Sequence, residues 1–89
     1  MRILLIEDDA ALARSIAALL RAGGNAVDHV ATGEDALSVV AGEPYALVIL
    51  DVGLPGIDGF TVLETLRKRG ERVPVLMLTA RDALDDRVR

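Results

Sequence analysis

The stretch Ala46 to Gly59 reads A-L-V-I-L-D-V-G-L-P-G-I-D-G, and it decides the architecture. Ala46 to Leu50 is an apolar run too short for a helix and rich in branched side chains, which predicts a strand buried on both faces. Asp51 ends the run, Pro55-Gly56 marks a turn, and Asp58-Gly59 opens a helical pattern. A carboxylate placed where a buried strand emerges into a Gly/Pro loop predicts a site at the carboxyl edge of an open α/β sheet, where ligands generally bind.

Outward from this stretch, the same pattern repeats. Ile3 to Ile6 is a second continuous apolar run, followed at once by Glu7-Asp8-Asp9. Asp9 is placed to cap a helix from about Ala10, with Leu12, Ile16, Leu19 and Leu20 as its inward stripe and Gly23-Gly24 as its stop. Ala26 to Val30 reads as a strand near a sheet edge, because Asp28 and His29 interrupt it. A second helix starts at Thr32 or Gly33, carries Ala36, Leu37 and Val40, and ends at Gly42 before Pro44. A third runs from about Gly59 to Arg69 with Phe60, Leu63 and Leu66 inward. Pro74 opens a fourth strand over Val75 to Leu78, and Asp82 to Arg89 reads as the first turns of a fourth helix. Alternation of strand and helix predicts an α/β fold with a parallel sheet covered on both faces.

With 89 residues the chain is one small domain at most. Composition is 52% hydrophobic with Tyr45 and Phe60 the only aromatics, so Leu, Val, Ile and Ala must make the core. No cysteine is present, which excludes disulfides and thiolate chemistry and fits a cytoplasmic location. No apolar stretch approaches the roughly 18 residues of a membrane span. The net charge of −4, with basic residues scattered among acids, argues against nucleic-acid binding by this chain.

Carboxylates therefore fall at two predicted strand ends, Glu7-Asp8 and Asp51, with Thr79 at a third. If the first and third strands are neighbours, their ends lie about 4.8 Å apart and the acids converge. Like charges at about 4 Å repel by roughly 4 kcal/mol at an effective dielectric near 20, so such a cluster takes up a proton or a cation. Oxygen ligands without His or Cys select Mg2+, Mn2+ or Ca2+, and few carboxylates with open positions favour Mg2+. The plainer alternatives are helix capping by Glu7, Asp8 and Asp9, turn formation by Asp51, and a strand-end hydroxyl at Thr79. His29, the only histidine, has no acid at catalytic spacing and reads as an edge-strand residue; Tyr45 reads as packing.

At these residues the chain resembles the receiver domain of bacterial response regulators. I-L-L-I-E-D-D, L-V-I-L-D-V-G-L-P-G-I-D-G and P-V-L-M-L-T-A-R match in type, spacing and order. T-A-R-D-x-x-x-D-R-V is similar to the subfamily whose receivers precede a winged-helix DNA-binding domain. The resemblance implies a flavodoxin-like fold with strand order 2-1-3-4-5. It implies that Asp51 accepts a phosphoryl group from a phosphohistidine on a sensor histidine kinase. Asp8 would bind Mg2+ directly, Glu7 through a water, and the Gly53 carbonyl would complete the set. Thr79 would bond a phosphoryl oxygen, and Ala80 would leave room beside it. Pro55 and Gly56 would shape the acceptor loop.

The family pattern also places a Lys at the end of a fifth strand, whereas the only Lys here is Lys68, on the third helix. The expectation is a receiver lacking its C-terminal quarter, with weak Mg2+ binding and slow phosphorylation. The bared fourth strand favours self-association by edge pairing or exchange of elements. Three rivals stand beside this reading. An aspartyl-phosphate phosphatase typically carries D-x-D after the strand, and position 53 is Gly. A nucleotide or flavin binder wants a glycine-rich loop where Glu7-Asp8-Asp9 stand. A truncated, non-phosphorylatable interaction module would bind a kinase without accepting phosphate.

Overall fold

In the parallel sheet every strand end points the same way, and this is what collects the acids on one edge. The computed structural model describes residues 1–78; Thr79, Ala80 and the helix expected from Asp82 lie outside the described residues. The elements are β1 (Arg2–Ile6), α1 (Ala10–Ala22), β2 (Ala26–Val30), α2 (Gly33–Gly42), β3 (Leu47–Asp51), α3 (Gly59–Lys68) and β4 (Val75–Leu78). The strands pair in the order β2-β1-β3-β4, all parallel, as the resemblance implies. β2 lies at the edge, as its interruption by Asp28 and His29 predicts. β3 starts one residue later than read and takes in Asp51.

The two continuous apolar runs are buried on both faces for a simple reason: alternate residues feed two cores. Leu4, Ile6, Val48 and Leu50 face Ala36 and Val40 of α2 and Val62 and Leu66 of α3. Ile3, Leu5 and Ile49 face Ala13 and Ala17 of α1, with Val27 beside them. Each fully buried Leu, Ile or Val contributes roughly 1.5–3 kcal/mol relative to exposure. Asp9, Thr32 and Asp58 cap the helices, accepting from the backbone amides of Leu12, Asp35 and Thr61 at 3.0, 3.1 and 2.9 Å.

Two helix faces differ from the sequence reading. Leu19 is 75% exposed and Phe60 63% exposed. In α1 the small pair Ala13 and Ala17 meets the sheet, which lets the helix approach closely, and Leu19 stands about 200° around from Ala17. In α3 the pair Val62 and Leu66 points inward, and Phe60 is likewise two residues off that stripe. Apolar residues were available on both sides of each helix, so periodicity alone did not select the face.

The amino edge of the sheet is closed by a polar clamp. Arg2 donates to Asp28 Oδ2 at 2.9 Å and pairs with Glu43, and the Tyr45 hydroxyl donates to the same Asp28 oxygen at 2.7 Å. The guanidinium lies 5.2 Å from the Tyr45 ring centroid. Tyr45 thus does more than pack: it ties the α2–β3 connection to β2. On the far side, Leu76 of β4 pairs in register with Ile49, shares its face, and is 51% exposed.

Candidate functional site at the carboxyl edge of the sheet

Glu7 continues β1 by one residue, its amide donating to Val30 O at 3.1 Å. Two positions beyond Leu5, it inherits the α1 side of the sheet, and Asp51 does the same two positions beyond Ile49. Glu7 is 1% exposed and Asp51 6%. Asp8, next along the turn, is exposed. One carboxylate oxygen from each of Glu7, Asp8 and Asp51 can be chosen so that all three lie within 4.8 Å of one another. The convergence expected of neighbouring first and third strands is thus realised.

The oxygens are unequally provided for. Glu7 Oε2 accepts the Asp9 amide at 3.0 Å, whereas Glu7 Oε1 is buried without a partner. Burial pushes the Glu7 carboxyl above the ordinary carboxylate range; the nearby Asp51 and Asp8 add to this, against the Asp9 amide. Asp51 Oδ1 accepts the Gly53 amide at 2.9 Å. A buried acceptor with nothing to accept from, beside two more carboxylates, is a donor set that suits a hard oxygen-binding cation.

The loop after Asp51 is fixed by glycine at two places. Gly56 has φ +74, a left-handed turn next to the Glu34 carboxylate. Gly59 is pressed against the end of β3: a Cβ there would lie 2.7 Å from Val52 Cα and 2.8 Å from Asp51 O. The start of α3 therefore abuts the peptide that carries Asp51. Lys68, by contrast, is at the other end of α3, beside Glu64 at 4.0 Å and largely exposed.

The structure brings together Glu7, Asp8 and Asp51, the acids that the sequence singles out, and sets beside them two neighbours that it does not. Gly59 was read only as a helix start; its closeness to Asp51 depends on how α3 docks. His29 Nε2 lies 2.7 Å from the carbonyl oxygen of Glu7. Its place opposite Leu5 in the β1–β2 register was the signal, and it becomes usable only once the strand order is known.

A parallel α/β sheet with an acid ending β3, two more acids after β1 and no glycine-rich phosphate loop defines a receiver-type signalling domain. The chain belongs to the response regulator receiver domain family, whose model matches residues 3–89. It is 48% identical over its whole length to the transcriptional regulatory protein TctD of Salmonella typhimurium, of which it spans 40%. Among solved structures, it resembles the receiver domain of a sensor histidine kinase from Pseudomonas aeruginosa, which holds a magnesium ion coordinated in its active site cleft. That match has a TM-score of 0.86 at 35% identity and covers 98% of this chain and 73% of the other. A chain from the complex of histidine kinase ThkA with response regulator protein TrrA matches with a TM-score of 0.83 at 34% identity, over 89% of this chain and 68% of that one. Among the described residues, no helix is long and apolar enough to cross a membrane.

Proposed function

We propose that this chain is the phosphoacceptor part of a response regulator and that Asp51 takes the phosphoryl group. The observation that carries the reading is the buried, partnerless Glu7 Oε1 set within reach of Asp8 and Asp51. Mg2+ fits this donor set, held by Glu7, Asp8 and Asp51, with the Gly53 carbonyl added by the family pattern. When bound, the ion offsets charge on the phosphoryl oxygens.

The Gly53 amide holds Asp51 Oδ1, which leaves Oδ2 as the attacking oxygen. The Oδ2–P bond forms as the P–N bond to a kinase phosphohistidine breaks, and the imidazole keeps the electron pair of that bond and leaves. Phosphoryl transfer asks for little beyond this in-line carboxylate, charge compensation and positioning. Thr79 and Ala80 take the roles the family gives them, hydroxyl donor and small neighbour. The product is a phosphoprotein that signals, not a released product of turnover.

The partner is a sensor histidine kinase, a reading supported by the ThkA–TrrA relative. The names of the curated relatives, and the 40% of TctD that is matched, support a cytoplasmic regulator with a DNA-binding output part beyond this chain. Exposed Leu76 on β4 supports self-association of this chain. A second reading, a kinase-binding module that takes up no phosphate, is kept in view by one observation: Lys68 sits at the C-terminal end of α3, away from the acids.

Incubation with Mg2+ and a small acyl-phosphate donor, followed by mass spectrometry, separates the two. Slow gain of one phosphoryl group, absent in Asp51→Asn, is the expected result. No gain while a kinase still binds selects the second reading. Sedimentation velocity of the 89-residue chain tests association, and a clean monomer refutes it.

A further inference from the structure

β1 and β2 are joined by a regular parallel ladder in which odd-numbered residues of β1 bond to even-numbered residues of β2. Ala26 N donates to Met1 O at 3.0 Å, and Glu7 N donates to Val30 O at 3.1 Å. Continued in register, the next rung would run from the Thr32 amide to the carbonyl of Glu7. The strand has ended by then: β2 stops at Val30, and Thr32 is the cap of α2, its hydroxyl accepting from Asp35. The Glu7 carbonyl at the strand end therefore loses its ladder partner. His29 supplies one, its Nε2 standing 2.7 Å from that oxygen. A carbonyl can only accept, so the contact requires a proton on Nε2.

That oxygen belongs to the peptide joining Glu7 to Asp8. Holding it fixes the plane from which both carboxylates hang. We propose that His29 is a positioning residue of the cation site, its ring replacing the lost rung and orienting the Glu7–Asp8 peptide so that both acids face Asp51. The proposal rests on the metal-site reading above. His29 touches no ligand oxygen; it acts through the backbone, from an exposed place on an edge strand.

The test is a Mg2+ titration of the chain followed by the backbone amide shifts of Asp51 and Gly53. Wild type, His29→Ala and His29→Gln are compared, and a long-range 15N spectrum reads the ring tautomer. Loss of an outer partner of a ligand side chain typically costs about 10- to 100-fold in metal affinity. Acting on the backbone, His29→Ala is expected to weaken Mg2+ binding by about three- to tenfold, and His29→Gln, which retains a donor, to return it to within about twofold. A purely structural role would lower the urea midpoint of His29→Ala and leave its Mg2+ affinity unchanged, which overturns the proposal. So does a folded His29→Gln that binds as weakly as His29→Ala. Should His29→Ala fail to fold, the wild-type spectrum decides: a proton on Nδ1 alone refutes the role, and one on Nε2 with a through-bond coupling to the Glu7 carbonyl carbon supports it. A wild type whose Asp51 and Gly53 amides ignore Mg2+ brings down the metal-site reading itself and this proposal with it. A wild type that responds, beside an equally responsive His29→Ala, brings down this proposal alone.

Discussion

Replacing Glu7 by Gln should make the metal-free domain more stable while weakening its response to Mg2+. The three carboxylates offer oxygens within 4.8 Å of one another. Two full charges at that separation repel by about 3.5 kcal/mol at an effective dielectric near 20. The share involving exposed Asp8 is discounted by solvent screening, and the 1% exposed Glu7 keeps most of its share with Asp51. Gln removes the charge, keeps an oxygen for the Asp9 amide and turns the other position into a donor facing two acids. A net gain of about 2 kcal/mol is expected, which for a domain of this size is a rise in Tm of about 8–15 °C.

The pH dependence has a definite sign. Because the folded Glu7 carboxyl lies above its ordinary range, its contribution to stability is complete below that range and is lost as pH rises through the raised value. Wild type in chelator should therefore lose stability on going from weakly acidic to mildly alkaline solution more than Glu7→Gln does. Circular-dichroism melts of both proteins at pH 5 and pH 8, in EDTA and in MgCl2, check every part. A Glu7→Gln protein melting below wild type in EDTA at pH 8, or gaining as much from Mg2+ as wild type, refutes the reasoning.

Other expectations follow from packing and from the amino-edge clamp. Gly59→Ala forces a Cβ to 2.7 Å from backbone atoms at the end of β3, and Gly33→Ala forces one to 2.6 Å from the fully buried Val62 side chain and 2.7 Å from that of Ile57. Urea unfolding should show a loss of about 1–3 kcal/mol for each. Tyr45 is pushed up to about 12, by burial first and then by its bond to Asp28. Its contribution is complete below the ordinary tyrosine range near 10 and is lost as pH rises towards 12. Tyr45→Phe should flatten the alkaline limb of a pH–stability curve. Asp28 is held below the ordinary carboxylate range by Tyr45 and then by Arg2, so its contribution is present above that range and lost on acidification. Asp28→Asn should blunt the loss of stability at low pH, though modestly, since the side chain is 45% exposed.

Much of this architecture was legible because continuous apolar runs have one physical explanation. Ile3 to Ile6 and Val48 to Leu50 had to be covered on both faces, and the acid after each run had to surface at a strand end. The capping roles of Asp9 and Asp58 were equally local, since an acid before a helical stripe meets free amides within three residues. The facing of α1 and α3 was not local. Leu19 and Phe60 are as apolar as their neighbours, and the choice of Ala13–Ala17 and Val62–Leu66 was made by how closely each helix can approach the sheet. Strand order, too, is a property of non-local pairing and came from family resemblance. The contacts of His29 and Gly59 depend on that order and on that docking, which is why neither could be read along the chain.

Among the described residues, all three helices begin where the acids collect: α1 follows β1 within four residues, α2 follows β2 within three, and α3 starts against the peptide of Asp51. Each helix start carries roughly half a positive charge from its aligned peptide dipoles. The acid edge is therefore partly compensated by the backbone before any ion or basic side chain arrives. A cation entering there completes a balance that the direction of the chain has already begun. The same three acids grafted onto the opposite edge, where helices end on bare carbonyls, would meet repulsion from the fold itself.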